Sequence, residues 1–397
     1  MLQLILHAAH ALGLALWLAA MAYLLLAIVC AARWRRNAPP IGPAPPLTLL
    51  KPLCGDEPGL EESLLTFCRQ AYPGPLQIIF GVQSPDDAAI AVVRRLIAAF
   101  PAIDMSLVVD AEVHGPNGKV SNLANMASGA RHGLIAVSDS DACAEPECLR
   151  RATASFADPA VGAVTCPYAG VPAPGSGRIG RLGALQIDAW YLPAAIVAAR
   201  LAPVDSCYGP LTIVRREVLD RAGGFRALAS LLADDHALGQ ISVAQGFKVV
   251  MAEVVVGCLV QDRSLVELLR HELRWARTTR ATTPLAYAAS LVTWCWPAVA
   301  GLILPLDGIR GLAALACLVA LRMVLAGVVQ SRLPPRFRLA LAVFAPWTLA
   351  WREALCFAVW LQGFLGARVS WRGRMFRVVA GGQLVEDLAA PAPGPTG

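Results

Sequence analysis

The sequence has little charge for its length, and this scarcity limits the class of protein. Only 16% of its 397 residues are charged and 56% are hydrophobic, whereas roughly a quarter of the residues in soluble domains are charged. The net charge of +6 is not gathered into long basic runs. Short clusters such as residues 33–36 instead flank apolar segments, as juxtamembrane anchors do. The composition therefore indicates a membrane protein with a soluble part and argues against nucleic-acid binding.

The sequence also lacks paired cysteines of the kind that hold zinc. It has eleven cysteines but no Cys-x-x-Cys pair, and Cys143 with Cys148 has no second pair to complete a site. Several others, including Cys30 and Cys317, lie inside apolar runs. We therefore expect reduced, buried thiols in a chain that faces a cytosolic redox environment.

Long apolar runs near both ends of the chain predict transmembrane helices. Residues 2–29 are almost entirely apolar, are too long for the core of a signal peptide, and have neither a basic region before them nor a cleavage site after them. The basic cluster that follows places the next segment in the cytoplasm by the positive-inside rule. Beyond Pro284, residues 285–306 and 312–329 predict two further spans joined by a short turn.

Residues 339–366 are also apolar, but they carry Arg352 and Glu353 in mid-course. Basic residues stand on both sides, at Arg336 and Arg368 among others, so one straight span would leave one basic cluster on the outer side of the membrane. A re-entrant or interfacial hairpin and a pair of short spans both remain open.

Between these apolar regions, short strands alternate with helices. The predicted strands are Leu47–Leu50, Leu76–Val82, Met105–Val109, Leu134–Val137 and Val161–Thr165. The predicted helices between them are Glu61–Gln70, Asp87–Phe100, Lys119–Arg131 and Pro146–Phe156. This alternation predicts a doubly wound α/β sheet with right-handed crossovers.

A more irregular half follows. Residues 182–204 are interpreted as an interfacial or substrate-facing helix, with a buried core helix as the alternative. The later elements are a helix at Leu232–Gln245, a strand at Val249–Val256 and a basic helix at Leu265–Arg280 that leads to the membrane.

The chain therefore divides into five parts. They are an N-terminal transmembrane helix (1–32), a basic, proline-rich linker (33–46), a cytoplasmic α/β domain (47–283), a C-terminal membrane region (284–366) and a cytoplasmic tail (367–397). The end of the tail, from Ala389, is rich in Pro, Gly and Ala, and we expect it to be disordered.

Two carboxylates, Asp139 and Asp141, follow the fourth predicted strand. In open α/β sheets, ligands lie beyond the carboxyl ends of the strands, where this loop is expected. Carboxylate oxygens are the ligands that Mg²⁺ or Mn²⁺ prefers. The spacing therefore suits a metal site, and the alternative is an ordinary acidic turn.

Three other polar stretches lie near predicted strand ends or beside the membrane. Residues 83–87 end in two aspartates, which could bind a nucleoside or simply begin a helix. Residues 234–236, Asp-Asp-His, could supply a general base or complement a helix dipole. Residues 271–275, His-Glu-Leu-Arg-Trp, could bind a diphosphate and an acceptor or anchor the helix at the membrane.

In this order the motifs resemble the D, D, D, (Q/R)-x-x-R-W signature of processive and lipid-directed family-2-like glycosyltransferases of the GT-A fold. The resemblance is strongest to ceramide glucosyltransferases and their bacterial relatives, which include a glycosyltransferase of hopanoid biosynthesis. Similar blocks extend it over roughly residues 47–385. They are Leu49–Gly55, Thr66–Pro73, Asn117–Leu123, Val218–Gly224 and Ser370–Arg372. The resemblance implies a GT-A domain with N- and C-terminal transmembrane helices.

The resemblance also implies roles for the acidic positions. Asp87 would help to bind the nucleotide, and Asp139 and Asp141 would place the divalent cation and the UDP diphosphate. Asp141 would be the principal metal ligand, with Asp139 nearer the nucleotide. The family's eukaryotic members often lack this second acid. Asp235 matches the third aspartate, the expected base.

The basic and aromatic positions follow in the same way. Lys51 and Lys119, which lie in the matched blocks, would bind the nucleotide sugar. Arg274 and Trp275 match the R-W pair and would bind the diphosphate and the acceptor. His271 stands where the family has Gln or Arg, and a histidine can still donate a hydrogen bond to a phosphate.

The implied activity is an inverting, metal-dependent transfer of one sugar from a UDP-sugar to a membrane lipid. The high Ala, Arg and Pro content suggests a GC-rich bacterial genome, and for such a source the resemblance implies N-acetylglucosamine and a hopanoid polyol at the bacterial inner membrane. Glucose and ceramide are the alternative. A polymerising synthase is disfavoured because too few spans are predicted, and a non-catalytic scaffold of the same fold is the alternative from a different class.

Overall fold

The computed structural model describes residues 1–34, 44–294, 296–371 and 374–386. Most of the predicted linker 33–46 lies outside the described residues, and so does the whole of the tail from Ala389, for which disorder is predicted.

The described strands, in chain order, are β1 (Leu47–Pro52), β2 (Leu76–Val82), β3 (Asp104–Val109), β4 (Leu134–Ser138), β5 (Ala142–Cys143), β6 (Val161–Thr165), β7 (Tyr168–Pro172), β8 (Leu211–Arg215), β9 (Lys248–Met251), β10 (Val256–Val260), β11 (Arg368–Trp371), β12 (Arg374–Val378) and β13 (Leu384–Glu386). The described helices are α1 (Leu2–Arg33), α2 (Leu60–Cys68), α3 (Ala89–Ala99), α4 (Gly118–Ala127), α5 (Cys148–Thr153), α6 (Gly177–Gln186), α7 (Leu192–Leu201), α8 (Arg216–Arg221), α9 (Asp234–Ala244), α10 (Leu265–Thr282), α11 (Pro284–Ala289), α12 (Trp296–Asp307), α13 (Ile309–Arg332) and α14 (Pro346–Gly363).

The main sheet has the order β3-β2-β1-β4-β8-β6-β9. The first four strands are parallel, β8 is antiparallel to both of its neighbours, and β9 is parallel to β6. All residues of β1 and β4 are buried, which explains why both strands appear in the sequence as mostly apolar runs. The α/β prediction is confirmed, but the sheet is mixed rather than doubly wound throughout, because β8 enters it antiparallel.

One predicted strand, Val249–Val256, is wrong as a single element. Its first part is β9 in the main sheet, and its last residue begins β10, which pairs with β5 and β7 in a second sheet. Between the two strands, the Ala252 amide bonds to the Thr165 carbonyl and the Val256 amide bonds to the Pro167 carbonyl. Glu253, exposed between the two strands, is the one polar residue of this stretch, and a single polar residue does not by itself indicate that the chain changes sheets.

Apolar clusters cover both faces of the main sheet. On one face α2, α3 and α5 pack against the strands, and on the other face α4, α8 and α9 do. A third cluster joins α1 and α13 to α7 and to the second sheet. The membrane helices are therefore packed directly on the α/β domain.

Three described helices are long and apolar enough to cross a membrane. They are α1, α13 and the helical stretch Gly177–Leu201, which contains both α6 and α7. For Gly177–Leu201, 67% of the apolar window is buried inside the molecule, which favours the buried-helix alternative for residues 182–204. The predicted span 285–306 is broken: Pro284–Thr293 and Trp296–Ile303 meet at an angle of 63° and count as one further span only if the two are taken together. Helices α1, α12 and α13 pack against one another.

Candidate active site

Lys51, at the end of β1, supports the loop between β4 and β5 that carries Asp139 and Asp141, which we call the aspartate loop. The Lys51 ammonium donates to the hydroxyl of Ser138 at 3.1 Å and to the backbone carbonyl of Asp139 at 2.5 Å. It also lies 4.2 Å from the centre of the Phe67 ring. Lys51 is fully buried, and this burial lowers its pKa to about 8, against the opposing effect of Asp139 and Asp141. The structure thus places Lys51 beneath the loop, where it supports the loop backbone.

Lys119 joins two of the predicted acidic motifs. It is the second residue of α4, a helix capped by Asn117, whose side chain accepts from the Val120 amide at 3.1 Å. The Lys119 ammonium lies 2.7 Å from Oδ1 of Asp139 and 3.0 Å from Oδ2 of Asp234. Burial would lower the pKa of Lys119, but these carboxylates outweigh burial and raise it. The lysine therefore stays charged and holds the two acidic segments together.

Asp141 provides the test of whether this loop suits a metal ion. Its Oδ1 atom is buried without a hydrogen-bond partner among the described residues, and its Oδ2 atom lies 3.7 Å from Sγ of Cys258. Burial, with the nearby charges of Asp139 and Glu57, raises the pKa of Asp141 to about 7. A buried carboxylate oxygen without a partner is costly, and a divalent cation would supply the missing charge. The arrangement therefore fits a cation.

Within the described part of the chain, no group of three or more His, Cys, Asp or Glu side chains is arranged to hold a metal ion. Mg²⁺ in nucleotide-dependent enzymes is commonly held by one or two carboxylates together with substrate phosphates. Asp139 and Asp141 would thus form the protein's share of such a site.

Asp235 faces the same space from the start of α9. If a Cβ atom were built on Gly209, it would lie 3.2 Å from Oδ2 of Asp139 and 3.4 Å from Oδ2 of Asp235. The two carboxylates therefore converge on this glycine. Burial, followed by the charge of Asp234, raises the pKa of Asp235 to about 7. A carboxylate with that pKa is suited to accept a proton near neutral pH.

Asp87 lies at the neighbouring strand end, after β2. Its carboxylate accepts from the Gly55 amide at 2.9 and 3.1 Å and from the Ala89 amide at 2.9 Å. It thus joins the loop after β1 to the beginning of α3. Asp87 lies just before Ala88, the N-cap residue of α3, so it contacts the first residue of the helix without being its cap. Its role in nucleotide binding stays a prediction.

The motif at residues 271–275 lies on α10 and connects to the aspartate loop through a chain of polar contacts. Ser140 donates to Glu57 at 2.7 Å, and the Gln261 side chain donates to the same carboxylate at 3.3 Å. Next to Gln261, the Asp262 carboxylate lies 3.3 Å from Nδ1 of His271. This chain links the helix that leads to the membrane with the candidate metal loop.

Within the motif, the rings of His271 and Trp275 lie 4.2 Å apart between their centres. Arg274, the residue before Trp275, is half-buried. The structure therefore brings His271, Arg274 and Trp275 together on one helix, and their contacts with diphosphate and acceptor stay predictions.

Three tyrosines that the sequence analysis did not select form a row beside these residues. Tyr208 precedes Gly209, its ring meets Tyr191 edge-on at 5.8 Å, and Tyr191 stacks on Tyr168 at 4.3 Å. Tyr168 and Tyr191 pack against the same buried cluster as Trp275. The row begins beside Gly209, where the carboxylates of Asp139 and Asp235 converge, and continues toward α10, which carries Arg274 and Trp275. In the sequence these tyrosines are isolated aromatics, so only the fold brings them together.

Gly209 and Glu57 were also missed, and Gly209 gives a direct test of the geometry. We expect Gly209→Ala to lower kcat/KM for sugar transfer about 10- to 100-fold, because small displacements of reacting groups cost up to about 10²-fold. The added methyl would occupy the space between the carboxylates of Asp139 and Asp235. Steady-state kinetics would measure the effect.

Gly133→Ala is the matched control, since nothing lies within 4 Å of a Cβ built there. Neither variant should change the unfolding temperature. Wild-type kinetics in Gly209→Ala would contradict the proposed convergence.

Known proteins resemble this chain over most of its length. The family described as Glycosyl transferase family 21 matches residues 13–384. The chain is 24% identical over 353 residues to ceramide glucosyltransferase 3 of Caenorhabditis elegans, covering 86% of this chain and 74% of the relative. It is 24% identical over 438 residues to the ceramide glucosyltransferase of Pyricularia oryzae, covering 87% of each.

Among solved structures, the mannosyltransferase PcManGT from Pyrobaculum calidifontis, in complex with GDP-Man and Mn²⁺, has a TM-score of 0.51 and 22% identity. The match covers 90% of this chain and 99% of that chain. At this identity the likeness shows the fold, and it confirms the GT-A-like glycosyltransferase architecture that the motifs implied.

Proposed function

Because this chain belongs to glycosyl transferase family 21, we propose that it moves one sugar from a UDP-sugar to a hydroxyl group of a membrane lipid, with inversion and with the help of a divalent cation. It is a sugar-transferring enzyme, and the scaffold alternative is set aside. The observation that carries the finer proposal is the convergence of Asp139 and Asp235 on Gly209, beside the unpartnered oxygen of Asp141.

The donor would lie across the carboxyl ends of β1, β2 and β4. Asp87 and the loop after β1 lie where a nucleoside would bind, and Asp139 lies where its diphosphate would reach. Mg²⁺ or Mn²⁺, held by Asp141 and Asp139, would supply positive charge for the departing diphosphate. Lys119 holds Asp139 and Asp234 in place.

The proposed reaction is a single displacement. The lipid hydroxyl oxygen attacks the anomeric carbon of the donor while the bond from that carbon to the UDP oxygen breaks. Asp235 accepts the hydroxyl proton, and UDP leaves with the bonding electrons. The anomeric carbon acquires oxocarbenium-like character in such transfers, so the leaving diphosphate needs charge stabilisation. Arg274, on the helix beside the aspartate loop, would contribute to it.

The membrane helices support a lipid acceptor. Helix α10 carries His271, Arg274 and Trp275 and is followed directly by the bent pair α11 and α12. An amphiphile held in the bilayer could therefore present its hydroxyl to the site without leaving the membrane. A soluble acceptor would not require this connection.

Two acceptors remain in the proposal. The relatives from Caenorhabditis elegans and Pyricularia oryzae are ceramide glucosyltransferases, and this favours ceramide with glucose. A hopanoid polyol with N-acetylglucosamine, which the sequence analysis preferred, rests on composition and motif resemblance. No side chain among the described residues distinguishes the two.

Purified protein in vesicles separates these acceptors. Vesicles containing ceramide or a hopanoid polyol would be incubated with UDP-glucose or UDP-N-acetylglucosamine and Mn²⁺, and lipids would be analysed by mass spectrometry. We expect one pair to gain the mass of one sugar, with ceramide and glucose as the first pair to examine. If no pair reacts while the protein remains folded in the vesicles, the lipid-acceptor proposal is overturned.

A further inference from the structure

Helix α14 has its charged residues on the inside of the molecule. Arg352 is fully buried, forms an ion pair with Glu272 on α10 and donates to the Leu182 carbonyl at 3.0 Å. Its neighbour Glu353 lies 3.3 Å from Nε of Arg322 on α13. The charges that made this segment ambiguous in the sequence are therefore paired within the protein.

The opposite face of α14 is apolar and exposed. Trp347 is 75% exposed, Trp351 46% and Leu361 46%, and Leu365, just past the helix, is 69% exposed. At 3.6 residues per turn the three positions within the helix, Trp347, Trp351 and Leu361, lie on one side of it, opposite Arg352. A surface helix in water has the reverse arrangement, with its charges outward. We call these four residues the apolar stripe.

The chain segments before and after α14 are both attached to the α/β domain. Before the helix, Arg336 forms an ion pair with Glu145, which lies between β5 and α5. After the helix, the Leu384 amide donates to the Ser230 carbonyl at 2.8 Å, and the Leu232 amide donates to the Gly382 carbonyl at 2.9 Å. Helix α14 has 18 residues and is therefore about 27 Å long. To cross the bilayer, it would need its two ends on opposite sides of the membrane. These contacts hold the chain before and after α14 on the side of the α/β domain, and the Arg280 guanidinium of α10 donates to the Phe364 carbonyl directly after the helix.

We propose that α14 lies within the leaflet that faces the α/β domain and buries its apolar stripe in lipid without crossing the membrane. Lipid is the occupant that the surroundings favour, because α14 packs on α12 and α13, and α13 exposes apolar side chains of its own, such as Met323 and Val324. Leu341, which precedes α14, and Leu285, on α11, are each 85% exposed and add to the exposed apolar surface of the C-terminal membrane region. Tryptophan is also enriched at membrane interfaces.

The placement has a consequence for α10. Arg352 contacts Glu272, the residue between His271 and the R-W pair, and the Arg280 guanidinium donates to the Phe364 carbonyl at 2.7 Å. A lipid-bound α14 would therefore hold α10 at the membrane surface. The proposal itself depends on the geometry of α14, so it can be tested without measuring sugar transfer.

Site-specific photo-cross-linking tests the proposal. A diazirine-bearing amino acid would replace Trp347 or Trp351 in the full chain, the protein would be placed in phosphatidylcholine–phosphatidylglycerol vesicles, and adducts would be identified by mass spectrometry after illumination. We expect phospholipid adducts at both positions, because diazirines react with whatever surrounds them.

Two other positions calibrate the yield. Leu18 is 60% exposed on α1, a candidate span, and serves as the lipid-facing reference. Val243 is 43% exposed near the end of α9, on the α/β domain, and serves as the water-facing reference. Yields at Trp347 and Trp351 close to that at Leu18, and severalfold above that at Val243, would support the proposal.

Two results would overturn it. One is a yield at Trp347 and Trp351 as low as that at Val243 while Leu18 reacts with lipid. The other is cross-linking of these positions to a second copy of the chain in place of lipid, which would make the apolar stripe a protein–protein interface.

Discussion

Replacing Asp235 with Asn is expected to lower kcat for sugar transfer about 10²- to 10⁴-fold, the usual contribution of a general base. The amide keeps the size of the side chain but cannot accept the acceptor's proton. Binding of the UDP-sugar should change little, because Asp139 and Asp141, which would hold the cation and the diphosphate in the proposed arrangement, are both kept in this variant. Transfer to lipid and binding of UDP would be measured on the same preparation.

Asp234→Asn is the matched control for this variant. Asp234 is the neighbouring residue and is paired with Lys119 at 3.0 Å, so its loss should loosen the site but leave the base in place. We expect a smaller decrease in kcat than for Asp235→Asn. The reverse order would assign the base to Asp234 instead.

The pH dependence should carry the same signature. The raised pKa of Asp235, about 7, means that the carboxyl group holds its proton below that pH and is available as a base above it. We expect kcat/KM to fall about tenfold for each pH unit below this pKa. In the Asp235→Asn variant, kcat/KM should no longer fall as the pH is lowered below 7. If it still falls, the group that titrates is not Asp235.

Replacing Asp141 with Asn is expected to weaken Mn²⁺-dependent binding of UDP at least about tenfold, corresponding to about 1.4 kcal/mol. The change removes a charged oxygen donor while preserving the volume of the side chain. Isothermal titration with UDP, with and without Mn²⁺, would measure the loss. Binding without the metal should not change.

Unfolding cannot explain such a loss. Burial and the neighbouring acids raise the pKa of Asp141, so above pH 7 its charge opposes folding when no cation is present. The neutral Asn should therefore leave the unfolding temperature of the metal-free protein unchanged or raise it. Asp86→Asn, at an exposed aspartate of the neighbouring strand end, is the control for UDP binding. Wild-type Mn²⁺ dependence in Asp141→Asn would contradict the metal assignment.

The first half of the α/β domain could be predicted because its strands are buried on both faces. Strands such as β1 and β4 appear in the sequence as short, mostly apolar runs bounded by turn residues. The same signal fails after residue 204. There β9 and β10 are separated only by residues 252–255, so they appear as one apolar stretch broken only by Glu253, although they belong to different sheets.

The residues of the candidate site also divide into those that the sequence could identify and those that only the fold reveals. Asp87, Asp139, Asp141 and Asp235 could be selected because each belongs to a motif with a fixed order along the chain. Gly209 and Glu57 belong to no such motif, and only the fold places them among the carboxylates. The buried position of Lys51 likewise depends on a contact with a strand that is distant in sequence.

The C-terminal membrane region shows a further limit of the sequence. Arg352 and Glu353 within an apolar segment leave two interpretations open in the sequence, a re-entrant or interfacial hairpin and a pair of short spans. The partners of Arg352 and Glu353 lie on α10 and α13. No local pattern indicates either pairing.

The most direct test of sugar transfer to lipid counts both products in one reaction. Vesicles carrying the purified protein and its acceptor would receive a UDP-sugar and Mn²⁺, and released UDP and lipid-linked sugar would be quantified together. We expect one UDP for each lipid that carries one sugar, with both products lost in Asp235→Asn. UDP release without a sugar-bearing lipid, or a lipid carrying a chain of sugars, would contradict transfer of one sugar to a membrane lipid.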